Sequence, residues 1–116
     1  MPQPARMRTR CARFLLSAML ALSPLAAHAQ DAAGEERGKQ VFTTAEPPCS
    51  LCHTLADAGA TGNIGPNLDE LKPTEGQVRA AVSGGVGVMP AYGGTLSEEQ
   101  IAAVAEYVAT VAGQAK

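Results

Sequence analysis

The densest chemistry in the chain lies in "EPPCSLCH", residues 46 to 53, where Cys49, Cys52 and His53 stand together. Two thiols three positions apart, followed at once by an imidazole, fit three kinds of site. They supply part of the ligand set of a structural zinc ion. They make a dithiol pair for disulfide exchange. They also form an attachment point for a haem, with the thiols adding to its two vinyl groups and the imidazole reaching its iron. Each reading needs different partners elsewhere in the sequence.

Those partners depend on how much of the chain is mature. Residues 1–29 open with Arg6, Arg8, Arg10 and Arg13, run into "FLLSAMLALSPLAA" and close on Ala27-His28-Ala29, a small-x-small pattern. That is the three-part layout of a secretory signal peptide. The apolar run from Phe14 to Ala27 contains Ser17, Ser23 and Pro24 and falls short of the roughly 20 apolar residues a span requires. Cys11 precedes the apolar core and is badly placed for lipid attachment. Cleavage near Ala29 is therefore expected, leaving residues 30–116 as one small exported domain in the periplasm.

Removing the leader changes the inventory. Four of the 9 basic side chains go with it, leaving five against all 11 acidic ones, a net charge near −6. So acidic a domain is a poor ligand for nucleic acid, and an anionic membrane surface repels it. Of the 3 Cys, 2 His and 4 Met in the chain, only Cys49, Cys52, His53 and Met89 remain. The aromatic set shrinks to Phe42, Tyr92 and Tyr107, with no Trp. A domain this small, built mainly from Ala and Val, buries little apolar area per ordered residue. Something other than large side chains is expected to fill its centre.

Zinc wants four ligands, and the mature chain offers three within five residues and no second Cys or His cluster. Disulfide exchange normally uses a strand-led βαβ frame, of which nothing is visible. Haem attachment explains more. On a helical turn Cys49 and Cys52 project from one face, His53 follows at i+4 from Cys49, and a flat apolar macrocycle supplies the missing core.

The positioning elements read as helices and loops. "QDAA" (30–33) is a frayed start, and "GEERGKQVFTT" a short helix with Gly38 and Phe42 on one face, ended by Pro47 and Pro48. Gly inside a helix costs about 1 kcal/mol against Ala, which implies close approach of another backbone. "DAGATGNIGPN" (57–67) is a Gly-rich loop. A helix follows from Thr74, which makes a capping box with Gln77, to Gly84-Gly85. "VGVMPAYGGT" is a loop in which Pro90 holds Met89 extended. The last helix starts at Ser97 with a second capping box to Gln100 and a Leu96–Ile101 staple. It carries an apolar stripe of Ile101, Val104, Ala105, Val108 and Val111 and closes at Gly113. No internal repeat, strand-like alternation or βαβ unit is visible.

From Gly34 to Val111 the chain resembles a small bacterial class I cytochrome c. The resemblance rests on "CSLCH" at 49–53, "GPNL" at 65–68, "MPAY" at 89–92 and the terminal "LSEEQIAAVAEYV". It implies an all-α class I cytochrome c fold, with three to four helices and long loops wrapped around one covalent haem c. In that family Cys49 and Cys52 would form the thioethers and His53 would be the proximal iron ligand. The Pro66 carbonyl would accept the hydrogen bond from the other imidazole nitrogen, and Leu68 would pack on the porphyrin. Met89, otherwise a core gap-filler, would be the distal ligand, a soft thioether that favours ferrous iron. Gly38, Phe42 and Tyr107 match the family's crossing of first and last helices. Tyr92 would pack at the haem edge, bond a propionate or simply be buried.

An iron with two protein ligands has no open position, so the expected function is that of a soluble periplasmic one-electron carrier rather than an enzyme. Its partners would be redox proteins: a donor dehydrogenase or membrane complex and an acceptor oxidase or reductase, with a basic docking face. Pro48, Leu51, Pro90 and Ala91 would supply an apolar docking patch. A monomer is expected. The competing readings are a dedicated cytochrome subunit of a periplasmic dehydrogenase and, if Met89 does not bind iron, a haem sensor or peroxidase.

Overall fold

A computed structural model describes residues 25–114, with side chains from Ala29 onward. The order is α1 (Leu25–Thr44), α2 (Cys49–Cys52), β1 (Thr54–Leu55), a 3-10 turn (Ala56–Ala58), β2 (Ala60–Thr61), α3 (Leu68–Leu71), α4 (Glu75–Gly84) and α5 (Glu98–Val111). Of the expected leader only Leu25–Ala29 lies among the described residues. No described helix is long and apolar enough to cross a membrane.

The frame is the crossing of α1 and α5. On α1, Gly38, Val41 and Phe42 are buried at helical spacing, and Ala45 just past its end continues the stripe. On α5, the stripe from Ile101 to Val111 is buried together with Ala103 and Tyr107. Gly38 makes the crossing possible: a Cβ there would overlap the Ala103 carbonyl oxygen and the Tyr107 Cβ. With the backbones that close, Phe42 and Tyr107 meet edge to face, ring centroids 6.2 Å apart. Such a pair adds about 0.5–1.5 kcal/mol beyond its buried area.

The helix ends follow the local chemistry. Thr74 and Ser97 each accept from the backbone N–H three residues on, and Gln77 and Gln100 reach back to complete both capping boxes. Each cap is worth about 1 kcal/mol. Gly85 (φ 72°) and Gly113 (φ 75°) take the left-handed conformations that stop α4 and α5.

Three features depart from the sequence reading. The first helix extends N-terminally to Leu25 instead of starting at Gly34, because the stretch from Leu25 is rich in Ala, the best helix former, and contains no Pro. Its described side chains before Gly34 are exposed, so the extension is local helix without packing. The Gly-rich segment holds a two-residue antiparallel ladder, Thr54 opposite Thr61 and Leu55 opposite Ala60. So short a pairing leaves no alternation to read. Finally, Leu68–Leu71 forms a one-turn helix, capped by the Asn67 side chain accepting from the Asp69 N–H. With α2 this makes five α-helices among the described residues, two of them single turns.

One ionic and hydrogen-bonded knot ties this frame to the loops. Tyr107 donates to Asp57 (2.7 Å), and the Lys39 ammonium lies 3.5 Å from the same carboxylate oxygen. Burial first, then the Asp57 bond, pushes the Tyr107 phenol well above its ordinary pKa, so it remains a donor.

Gly38→Val should drive a side chain into the Ala103 carbonyl, which cannot yield without moving α5. A loss of about 1–3 kcal/mol is expected, measured by denaturant unfolding followed through helical circular dichroism.

Candidate cofactor site

The cysteine motif occupies one helical turn. Pro48 enters it in extended geometry, Leu51 N–H donates to Pro48 O (3.1 Å), and His53 N–H donates to Cys49 O (3.0 Å). Cys49 and Cys52 are free thiols on that turn, each half-buried. Burial pushes the Cys49 thiol up to about 11, outweighing its own backbone hydrogen bond, with Cys52 raising it further. Among the described residues, no three His, Cys, Asp or Glu side chains converge as metal ligands.

His53 is held from behind. Its Nδ1 lies 2.8 Å from Pro66 O. A carbonyl only accepts, so Nδ1 carries the proton and Nε2 keeps its lone pair. This contact fixes the orientation and tautomer of the ring. Two glycines let the 62–66 segment approach. A Cβ on Gly62 would stand 2.6 Å from Leu51 O, and one on Gly65 2.6 Å from His53 Cε1. Gly65 N–H donates to Cys52 O (2.8 Å), and Thr54 Oγ1 donates to Gly62 O (2.8 Å).

In front of the imidazole is a cavity of about 580 Å³, within the size range of ordinary ligand sites. Cys49, Cys52, His53, Pro66, Leu68 and Met89 all line it, so every sequence-nominated site residue meets one space. Phe42, Val104 and Val108 extend the two frame helices into its wall. Among the described residues no Asp, Glu, Lys or Arg lines it. Met89 sits on a tight turn in which Val86 and Met89 exchange backbone hydrogen bonds (3.2 and 2.9 Å). Ile64, Leu71, Val86 and Val88 also belong to the lining and are more than half exposed.

Several supporting residues escaped the sequence reading. Asp69 accepts from Ala56 N–H (2.7 Å) with one oxygen and from Gly113 N–H (2.9 Å) with the other, bracing the segment that carries Pro66 and Leu68. Asp57 ties the 3-10 turn to α1 and α5. One opens a Gly-rich loop and the other sits on the α3 turn, with no local signal to separate either from solvated surface charges. Tyr92 is 4% exposed, and its hydroxyl donates to Pro47 O (2.7 Å). The residue is thus buried with its single O–H committed to a carbonyl and not spare for a propionate, and it also belongs to the cavity lining.

The donor set, the uncharged lining and the glycine cradle behind His53 suit a covalently attached macrocycle. The comparisons agree. The family described as cytochrome c oxidase, cbb3-type, subunit III matches residues 33–108, and the chain belongs to that family of c-type cytochromes. A similar solved structure is that of the c-type cytochrome SorU from Sinorhizobium meliloti. It is 53% identical, with 71% of this chain and 94% of that one covered and a TM-score of 0.68. Among curated proteins nothing matches. The fold is thus a small, mainly helical cytochrome c, its cofactor is covalent haem c, and its chemistry is haem-based electron transfer. The Cys-x-x-Cys-His motif is compatible with attachment through Cys49 and Cys52.

Gly65→Ala should press a methyl against the imidazole and separate Nδ1 from Pro66 O. The expected outcome is a lower yield of haem-loaded protein and a shifted Soret band in what forms, both measured by absorption against total protein.

Proposed function

We propose that this cytochrome is a soluble periplasmic one-electron carrier with His53 and Met89 as the axial ligands of a haem held through Cys49 and Cys52. The observation that carries the reading is the His53–Pro66 hydrogen bond, which leaves Nε2 free toward an uncharged cavity that the sole mature Met also lines. Bound there, haem c supplies a one-electron Fe(II)/Fe(III) couple. His53 and Met89 would fill both axial positions, leaving none for a substrate, which supports a carrier over an enzyme. The apolar lining disfavours the extra positive charge of the oxidised state, and a thioether ligand acts in the same direction, so both raise the potential.

Pro66 and Leu68 serve the site by orienting His53 and packing the cavity wall. Pro48, Leu51, Pro90 and Ala91 form the docking patch. Leu51, Pro90 and Ala91 are exposed, and the Tyr92–Pro47 bond draws the two segments to one edge. Partners are redox proteins, and a basic face suits the acidic balance of residues 30–116. Export follows from the leader-like layout of residues 1–29, with cleavage near Ala29 read directly by N-terminal sequencing. A cytochrome retained as an enzyme subunit would instead co-purify with its complex at moderate salt.

Met89→Ala should turn the low-spin spectrum high-spin, abolish the weak far-red sulfur-to-iron band and let the ferrous protein bind CO. A parent-like spectrum would remove Met89 from the iron. Electron exchange with a small basic redox protein should slow roughly tenfold or more when low-salt buffer is raised to physiological ionic strength, since steering of this kind is worth about 10–10³ in rate. Stopped-flow absorbance measures it, and a salt-independent rate would rule out a basic partner face.

A further inference from the structure

We propose that Tyr92 is a positioning residue: its hydroxyl latches the loop bearing Met89 to the segment leading into the cysteine motif, and so sets how readily Met89 leaves the iron. The inference rests on the His53/Met89 ligation reading above and concerns a residue that reading does not use.

The argument starts from how the loop is anchored. Its inner turn is self-contained, because Val86 and Met89 bond only to each other through the backbone. The tip has little grip, with Val88 at 90% exposure. Pro90 has no N–H to give. The turn is therefore held at its two ends. At the first, Gly85 N–H donates to Ala81 O (2.8 Å), which ties it to its own helix, α4. At the second, Tyr92 N–H donates to Val82 O (2.8 Å), again on α4, and the Tyr92 carbonyl accepts from Leu96 N–H (2.8 Å). All of these backbone bonds join the loop to its neighbours in sequence.

The Tyr92 hydroxyl is different. It crosses to Pro47 O, 45 positions away, two residues before Cys49. Among the described residues no other hydrogen bond joins the Met89 loop to the segment that carries Cys49, Cys52 and His53. The two axial ligands come from these two segments, so this bond couples one ligand's support to the other's. Burial, with Cys49 and Cys52 adding smaller effects, raises the Tyr92 phenol, which keeps the donor protonated.

An external ligand binds the ferric iron only after Met89 departs, so its apparent affinity is its intrinsic affinity multiplied by the open fraction. A lost neutral hydrogen bond that restrains only the closed loop should raise that fraction roughly two- to tenfold. Tyr92→Phe keeps the buried ring and removes the hydroxyl alone. Tyr107→Phe is the control: it removes a hydroxyl bond of the same 2.7 Å length, between α5 and the 3-10 turn, from a residue that does not line the cavity.

The experiment is an imidazole titration of ferric, haem-loaded wild type, Tyr92→Phe, Tyr107→Phe and Met89→Ala, followed by the far-red band and the Soret shift. The expected result is an affinity two- to tenfold tighter for Tyr92→Phe, wild-type affinity for Tyr107→Phe, and much tighter binding for Met89→Ala. Equal affinities for Tyr92→Phe and wild type would overturn the latch while leaving Met89 as ligand. The same would follow if Tyr107→Phe tightened binding as much as Tyr92→Phe, since the effect would then be general loosening. If wild type binds imidazole as tightly as Met89→Ala, the ligation reading fails and the latch with it.

Discussion

Much of this structure depends on one close approach of two backbones. Where α1 crosses α5 there is room for Gly38 and for nothing larger, because the Ala103 carbonyl and the Tyr107 Cβ occupy the space a side chain would take. That contact sets the angle and depth at which the helices meet, and hence where Phe42, Val104 and Val108 stand. These three then form part of the wall of the haem cavity. A chain with so few aromatic residues has little else with which to define an interior. The helical frame packs a small buried core around Phe42, Ile101, Val104, Tyr107 and Val108. It makes a scaffold with an apolar cleft, and the cofactor completes the packing.

The cleft itself is built from short pieces fastened across large sequence distances. The cysteine turn is held by Gly65, whose N–H meets the Cys52 carbonyl, and the imidazole by Pro66. The segment carrying both is braced by Asp69 against the 3-10 turn and the end of α5. Glycine at 62 and 65 is a geometric requirement, since each lies against the backbone or ring of the motif. The Met89 loop is fastened separately, to α4 through its backbone and to Pro47 through the Tyr92 hydroxyl. The His53 segment is thus held by several bonds to the backbone, while the Met89 segment is a turn on a tether.

Charge is partitioned in the same spirit. The cavity lining holds no ionisable residue besides the two cysteines, His53 and Tyr92. Most of the acids are exposed on the outer faces of the helices. The two acids that turn inward, Asp57 and Asp69, are consumed by hydrogen bonds that hold loops in place. The charged side chains thus stay on the outside while the cavity lining is left uncharged.

The sequence by itself determined what local chemistry can determine. Both capping boxes, the Gly stops after α4 and α5, the α5 stripe and the one-turn geometry of Cys49 to His53 depend on residues three or four apart, where spacing alone decides who meets whom. Composition showed that the centre needed an occupant, and the motif showed its chemical class. Tertiary structure decided everything that joins residues across long separations. Tyr92 reaching Pro47, Asp69 bridging Ala56 and Gly113, Tyr107 finding Asp57, and the two-residue ladder beside the motif have no local periodicity that could announce them. The extension of α1 to Leu25 was legible in principle, since Ala-rich sequence favours helix, but it lies where the pattern reads as leader and frayed start. Contacts between neighbours in sequence are written in residue type, whereas contacts between distant segments exist only once the Gly38 crossing has brought the elements together.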